Sequence, residues 1–534
     1  MDVDLIERKV DAFEATDNHV QPDDADAQQR QSQADKLVEF ALARVTLFHD
    51  MNKDSYARDI ETGEARRLDS RSFKDWLAAG FYAAEGKSPR GQSLSEALST
   101  LSALARYDGE QHKVNIRIAK VGDDYYLDLC EAGRSRAVRW SASGWHVVSA
   151  DDVLFVRGEA MQPLPVPDRS GSLDALWQTC NIPVSDRPLV LAWIIEALRP
   201  DTVFPGIEIM GEQGSGKSTT SEAIRRLIDP NGCNLRGAPK TTEDVFVTAG
   251  ASHVVAYENL SHIPQPMQDA LCILSTGAGY AKRKLYTDAD ESVISVQRPW
   301  MVNAISSVVT QQDLLDRTIC IECPIIRSRT ASADQWALFN RELPRILGAL
   351  FDLAVAALKV LPSIRIPAGD RPRLIEYAHL GMAITQVLNG DPQQFLTLFK
   401  ENRRDSVART IDNSPVCTAI IELMEKRPEV SAPVKDLLRD LESYRPDRCD
   451  SWPRSAKGLG DALRRSAPAL RHLDIDCVCL GKIGGTVRWS IKKKLPDPSP
   501  TSPNVLINDP DSRTLGHSGL TTDNYISACP KCGG

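Results

Sequence analysis

The chain has no surplus of positive charge, no basic leader followed by an apolar run, and few aromatic residues. Across 534 residues, 64 Lys and Arg stand against 72 Asp and Glu, a formal net charge of −8. That excludes a uniformly basic surface, so any nucleic-acid contact has to come from a local patch. The opening MDVDLIERKVDAFEATD lacks the pattern of a secretory signal. The most apolar stretch, residues 189–198, is about half as long as a membrane span needs to be. The 12 cysteines are mostly scattered singly in apolar surroundings, as at Cys272 and Cys320, which suits reduced core thiols. These features together lead us to expect a soluble cytoplasmic protein with no membrane partner.

What is present suits a globular protein: 42% hydrophobic and 25% charged residues, over a length that implies two to four domains. Residues 1–36 are polar and read as a tail without a core. Residues 37–170 mix helix-like stretches (LVEFALARVTLF, SLSEALSTLSALARY) with strand-like ones (KVNIRIAKV, DYYLDLC, SRAVRW, GWHVV). They predict an α+β domain with an antiparallel sheet and no chemistry that can be named. After the turn-rich LPVPDRSGS, residues 171–365 alternate apolar strands with helices, the pattern of a parallel sheet with crossovers. Residues 366–413 read as a helical connector, 414–494 as a compact module, and 495–534 as a flexible tail ending in CPKCGG. Cys529 and Cys532, with His517 the one further ligand nearby, make an incomplete zinc ribbon.

The chemistry begins at GIEIM (Gly206–Met210), which runs into GEQGSGKST and a helical TSEAIRRLI. Strand, then G-x-x-x-x-G-K-S, then helix is the context of a Walker A phosphate loop. Gly211, Gly214 and Gly216 permit the backbone angles that turn successive N–H groups inward, and Ser215 and Thr219 complete the loop. The helix points its positive end at the anion. Lys217 is placed to reach the β- and γ-phosphates of ATP, and the Ser218 hydroxyl to ligate Mg²⁺.

Three more residues fit that chemistry. The strand HVVAYEN ends in Glu258, a carboxylate for the metal shell, taken to lie on the strand beside the phosphate loop. Asn259 follows where a second acid would polarise the attacking water. The strand PWMVNAI places Asn303 where its amide can hold that water, although an Asn ending a strand is also a common turn residue. In DLLDRTICIECP, Arg317 is either an arginine supplied across a subunit interface or one half of a surface ion pair with Asp313 or Asp316.

The run GEQGSGKST…LIDP…VVAYENLSHIP…TGAGYAKRKLYTD…RPWMVNAI…DLLDRTI resembles AAA+ ATPases of the superfamily 3 helicase type. More closely, it is similar to the helicase part of phage and mobile-element primase-helicases, which usually carry Asp where this chain has Glu258. The resemblance implies a homo-oligomeric, hexameric ring with ATP between subunits, 3′→5′ movement, and a separate primase as a partner. It also implies a channel hairpin at about 280–297. Lys282, Arg283 and Lys284 there, with Tyr286 beside them, would grip single-stranded DNA.

Residues 414–494 predict three helices, the third interrupted at Pro468, followed by two strands joined through GKIGG. From Trp452 to Lys494 there are ten basic and three acidic residues, a local balance of +7. That suits a winged helix on duplex DNA, with Lys457, Arg464 and Arg465 on the helix and Lys482 and Arg488 on the wing. The expected fold is thus a P-loop AAA+ core with a parallel sheet, preceded by an α+β domain and followed by a winged helix. The expected function is an ATP- and Mg²⁺-dependent DNA helicase or translocase of a mobile element. The alternative is an ATP-switched DNA-binding regulator.

Overall fold

A computed structural model describes residues 31–277, 279–283, 291–328, 330–412, 414–446, 452–471 and 473–493. Helix α1 (Gln33–Leu42) begins inside the stretch expected to be tail, because Ser32 and Asp35 close a reciprocal capping box. The helix expected to continue through Phe48 instead gives way to strand β1 (Val45–His49). β-Branched Val45 and Thr46 favour a pleated surface, and Phe48 stacks on Tyr56 opposite, ring centroids 5.3 Å apart.

The N-terminal region then runs through β2 (Ser55–Asp59), β3 (Ala65–Arg67), α2 (Arg71–Glu85), α3 (Gly91–Tyr107), β4 (Glu110–Gln111) and β5 (Val114–Asn115). A meander β6 (Ile118–Val121), β7 (Asp124–Asp128), β8 (Arg136–Ser141), β9 (Gly144–Ser149) follows, then β10 (Leu154–Phe155). Two four-stranded sheets form where one was expected: β3-β2-β1-β4, with β4 parallel to β1, and the antiparallel β6-β7-β8-β9. Helices α1 to α3 cover the first sheet through Leu37, Leu77, Phe81 and Leu101.

The next region comprises α4 (Asp174–Thr179), α5 (Arg187–Glu196), β11 (Gly206–Met210), α6 (Lys217–Ile228), α7 (Thr242–Ala251) and β12 (Val255–Leu260). It continues with α8 (Gln265–Thr276), the hairpin β13 (Gly279–Arg283) and β14 (Glu291–Ser295), β15 (Trp300–Ala304), α9 (Gln312–Leu315) and β16 (Thr318–Glu322). As alternation predicted, β12, β15, β11 and β16 make one parallel sheet, in that order. Every residue of β11 is buried, as suits a strand covered on both faces. A Cβ at Gly206 would overlap the indole of Trp300 on β15, so glycine lets the two strands pair there.

Helices α10 (Ser332–Val360), α11 (Ile375–Val387) and α12 (Pro392–Asp412) pack behind the sheet. By length and composition the stretch Ser332–Ser363 could cross a membrane, but half of its most apolar window is buried within the protein. Phe339, Ile346, Leu347, Leu350 and Phe351 lie in the central core. Pro344 stands inside the helix, and its carbonyl accepts the N–H of Asp168 at 2.8 Å from the strap that crosses there.

The C-terminal module has its own core, including Leu437, Leu459, Leu463, Trp489 and Ile491. Its order is α13 (Pro415–Lys426), β17 (Glu429–Pro433), α14 (Val434–Glu442), α15 (Ala456–Arg471), β18 (Ile475–Ile483) and β19 (Thr486–Lys493). Strand β17 was not foreseen; it pairs with β19 in the sheet β17-β19-β18. Nor does Pro468 interrupt α15, which runs through it.

One buried ion pair joins the N-terminal region to the parallel sheet. Arg117 Nε lies 3.0 Å from Asp229 Oδ1, and both side chains are fully buried. Asp229 caps the C-terminus of α6, and its second oxygen accepts the N–H groups of His253 (2.8 Å) and Val254 (3.1 Å) at the entry to β12.

Candidate functional site

Residues 211–216 carry the chain from the C-terminal end of β11 to the N-terminus of α6. Gly211, Gly214 and Gly216 adopt φ of +150°, +86° and +73°. A Cβ at Gly211 would lie 2.5 Å from Ser215 Oγ and 2.8 Å from the Cys323 carbonyl, so conformation and space both require glycine there. Ser215 is fully buried and its hydroxyl has no hydrogen-bond partner. Asn181, which the sequence did not single out, braces the loop: its Nδ2 donates to the carbonyls of Ser215 (2.8 Å) and Pro324 (2.6 Å).

Lys217 is 8% exposed, and its Nζ reaches only the Glu212 carbonyl, at 3.4 Å. Among the described residues it has no carboxylate partner. A sequestered ammonium and the free N–H groups of a helix start make this turn locally positive. Ser218 and Thr219 open into a cleft of about 950 Å³, which Glu258 also lines.

The acid is not on the strand beside the loop. Asn303-bearing β15 lies between β11 and β12, so Glu258 arrives from one strand further out. A register shift between Tyr257 and Leu260 and the positive φ of Asn259 (+53°) turn the end of β12. The backbone N–H of Glu258 is held by the Arg236 carbonyl at 2.8 Å.

Asn303 does not line the cleft. It is fully buried, its Oδ1 accepting the Asn259 N–H (2.9 Å) and its Nδ2 donating to Ser221 Oγ (3.2 Å). Arg317 lies at the opposite end of the sheet, where its carbonyl accepts the N–H of Gly206 at the start of β11 (2.8 Å). Its guanidinium meets the Asp313 carboxylate at 2.7 Å and the Asp313 carbonyl at 2.7 Å. Arg373 shares that carboxylate at 2.5 Å. Burial raises the Asp313 carboxyl, and the two arginines more than reverse this, leaving it below the usual range. Five strand residues, roughly 17 Å, thus separate Arg317 from its own loop.

The hairpin expected at 280–297 is present as β13 and β14, with Lys282 opposite Ser292 and Arg283 opposite Glu291. Lys284 and Tyr286 lie outside the described residues, as do Cys529, Cys532 and His517. In the C-terminal module Lys457 and Arg464, two turns apart on α15, line a groove with Lys435, Thr486 and Val487. Arg465 lines a different cleft, against His262, Gln311 and Gln312 of the sheet region. Lys482 is exposed, and Arg488 is bonded to the Ser431 carbonyl at 3.2 Å.

Fold and site define a mixed α/β protein whose parallel sheet carries a glycine-rich loop, a buried lysine and an acid at one edge. Residues 173–390 match the family of actinomycete integrative conjugative element replication proteins. Residues 416–502 match the C-terminal domain of that replication protein, so the chain is similar to the family in both modules and in their order. No curated protein matches the chain. Among solved structures, the apo C-terminal region of NrS-1 aligns over 86% of this chain and 98% of its own, with 10% identity and a TM-score of 0.38. JCV helicase aligns over 42% of this chain and 66% of its own, with 12% identity and a TM-score of 0.23. The motifs had suggested a resemblance to the helicase part of phage and mobile-element primase-helicases, and the family match is to a replication protein of a mobile element.

Proposed function

We propose that the chain is an ATP-driven DNA helicase or translocase that serves replication of a mobile element. The observation that carries this reading is the convergence of Lys217, Ser218 and Glu258 on one edge of the parallel sheet, with Arg317 at the other. In a P-loop ATPase, the 211–219 loop would wrap the phosphates with its N–H groups while Lys217 neutralises the terminal ones. Ser218 and Glu258 suit Mg²⁺, which keeps most of its waters and takes few protein oxygens. When bound there, the ion would offset charge developing on the transferred phosphoryl group.

Arg317 is too far from its own loop to serve it, so completion of the site requires a second copy, as in an AAA+ ring. In such a ring the β13–β14 hairpin would carry Lys282 and Arg283 toward a single strand. The C-terminal module has the helix–strand–helix–helix–strand–strand order of a winged helix, and Lys457, Arg464 and Lys482 would hold duplex phosphates. A partner enzyme would supply primers.

The second reading is an ATP-switched DNA-binding regulator. The cis pairing of Arg317 with Asp313 favours it, since that arginine has to leave its carboxylate before reaching a neighbour.

ATP turnover with and without single-stranded DNA, in wild type, Lys217→Ala and Arg317→Ala, separates the two. For a ring motor we expect several-fold stimulation by DNA that both substitutions abolish. Turnover indifferent to DNA and intact in Arg317→Ala would overturn the motor and leave the switch.

A further inference from the structure

At the end of the parallel sheet opposite the glycine-rich loop, three arginines and two aspartates gather around the start of β16. Asp316 has partners of its own. Arg403 of α12 holds it through Nε at 3.0 Å and Nη2 at 2.8 Å, and the Gln312 amide donates to it at 2.9 Å. Asp313 is held differently: Arg317 and Arg373 both close on its carboxylate, at 2.7 and 2.5 Å. Two guanidiniums thus share one carboxylate, and the cluster carries one positive charge in excess.

The two arginines that share Asp313 are anchored in different ways. The Arg317 N–H donates to the Leu314 carbonyl at 2.9 Å, and its own carbonyl accepts the Gly206 N–H at 2.8 Å. Its backbone is therefore fixed on both sides, and only its side chain is free to turn. Arg373 stands on the connection before α11, where the next residue, Leu374, is buried in the central core. Its guanidinium also lies 3.9 Å from Asp316, so it is placed between the two carboxylates.

We propose that Asp313 is a latch holding Arg317 within its own subunit, and that Arg373 is the positioning residue that lets this latch open. The proposal rests on reading Arg317 as the arginine that completes a neighbour's ATP site. Drawing a cation away from its carboxylate strands the anion, and that cost opposes release. Here Asp313 keeps Arg373 when Arg317 turns outward, and the repulsion between the two guanidiniums falls as they part. Arg373 thus eases the release of Arg317 through the carboxylate they share. The Asp313 side chain is 56% exposed, so the effect has the size of a surface ion pair.

The test is steady-state ATP turnover by the full chain with single-stranded DNA present, reading kcat and KM separately. Arg373→Met should lower kcat about 2- to 5-fold, the span of a surface ion pair, and leave KM for ATP unchanged. Arg373→Lys, which keeps the charge, should recover most of the loss. Asp313→Asn added to Arg373→Met should return kcat to the wild-type value or above, because a neutral amide no longer holds Arg317. A loss that this second substitution does not relieve would mean that Arg373 only supports the fold, and would overturn the latch. Wild-type kcat in Arg373→Met, with turnover abolished in Arg317→Ala, would overturn the role of Arg373 and leave the arginine in trans standing. Wild-type turnover in Arg317→Ala would overturn that arginine and the latch with it.

Discussion

The side-chain carbonyl of Asn303 accepts the backbone N–H of Asn259, the left-handed residue that immediately follows Glu258, at 2.9 Å. The same amide donates to Ser221 Oγ, which in turn donates to the Lys217 carbonyl at 2.8 Å. A single buried side chain therefore ties the end of the acid's strand to the first turn of α6. Asn303 acts here by holding Glu258 and Lys217 in register, through groups it touches.

Asn303→Ala strips the acceptor from a buried N–H, which costs about 1–3 kcal/mol. We expect urea denaturation to show that loss, and ATP turnover to fall further than ATP binding, because the acid moves while the loop remains. At Asn259 the backbone conformation gives a sharper contrast. Asn259→Gly should leave stability within a few tenths of a kcal/mol of wild type, or slightly raise it, whereas Asn259→Val should cost about 1–2 kcal/mol or more. Equal effects of Gly and Val would contradict a strained turn at this position.

The Arg117–Asp229 pair makes the N-terminal region part of the core that supports α6. Burial raises the Asp229 carboxyl, and Arg117, aided by Arg225 and His253, reverses this and leaves it below the ordinary range. Breaking one side of such a pair strands a charge and costs about 3–5 kcal/mol. Arg117→Met should accordingly lower the urea midpoint by most of the protein's margin, and the Arg117→Met, Asp229→Leu double variant should recover part of it. A single variant as stable as wild type would show that the two regions are held together elsewhere.

The glycine-rich turn between β11 and α6 was legible because its signal is local: three glycines within six residues allow the positive backbone angles it adopts. Alternating apolar strands and helices likewise disclosed the parallel sheet, whereas the hairpin before β15 was expected only from the family resemblance. Strand order was not legible, since the insertion of β15 between β11 and β12 is a through-space pairing that no local pattern records. The same holds for Arg117, 112 residues from Asp229. Strand β17 was missed because its five residues include a proline and alternate only weakly, and β1 because apolar Leu47 and Phe48 continue the helical pattern of α1.

His253 gives a pH dependence whose sign can be worked out. Burial, followed by the nearby Arg298 cation, depresses its imidazole from the ordinary 6.5 to about 4, while the Ala197 carbonyl bonds Nε2 at 2.7 Å. Between those values the unfolded chain carries a proton that the folded one does not, so this residue's contribution is complete above pH 6.5 and falls away toward pH 4. The full effect is about 3 kcal/mol. Glu196 and Glu208, whose carboxyls burial raises, act in the opposite sense from about pH 4.5 upward. The readout is therefore a difference: His253→Gln, which keeps a donor for Ala197, should lose less stability than wild type between pH 7 and 5. Parallel curves would mean that His253 takes up its proton at the same pH in the folded and unfolded chain.

In the C-terminal module, Lys457 and Arg464 share a groove, whereas Arg465, one residue further, faces His262 and Gln311. Arg464 is 61% exposed and paired with Asp461 at 2.8 Å, an ion pair weak enough for a phosphate to displace. Each cation that contacts a duplex phosphate contributes about one to the slope of log affinity against log salt. We expect Lys457→Ala and Arg464→Ala each to reduce that slope by about one, in fluorescence anisotropy between 50 and 200 mM salt. Arg465→Ala should leave the slope where it is, because its side chain lies toward the parallel-sheet region. A loss of slope in Arg465→Ala equal to that in Arg464→Ala would mean that duplex DNA approaches from the other side of α15.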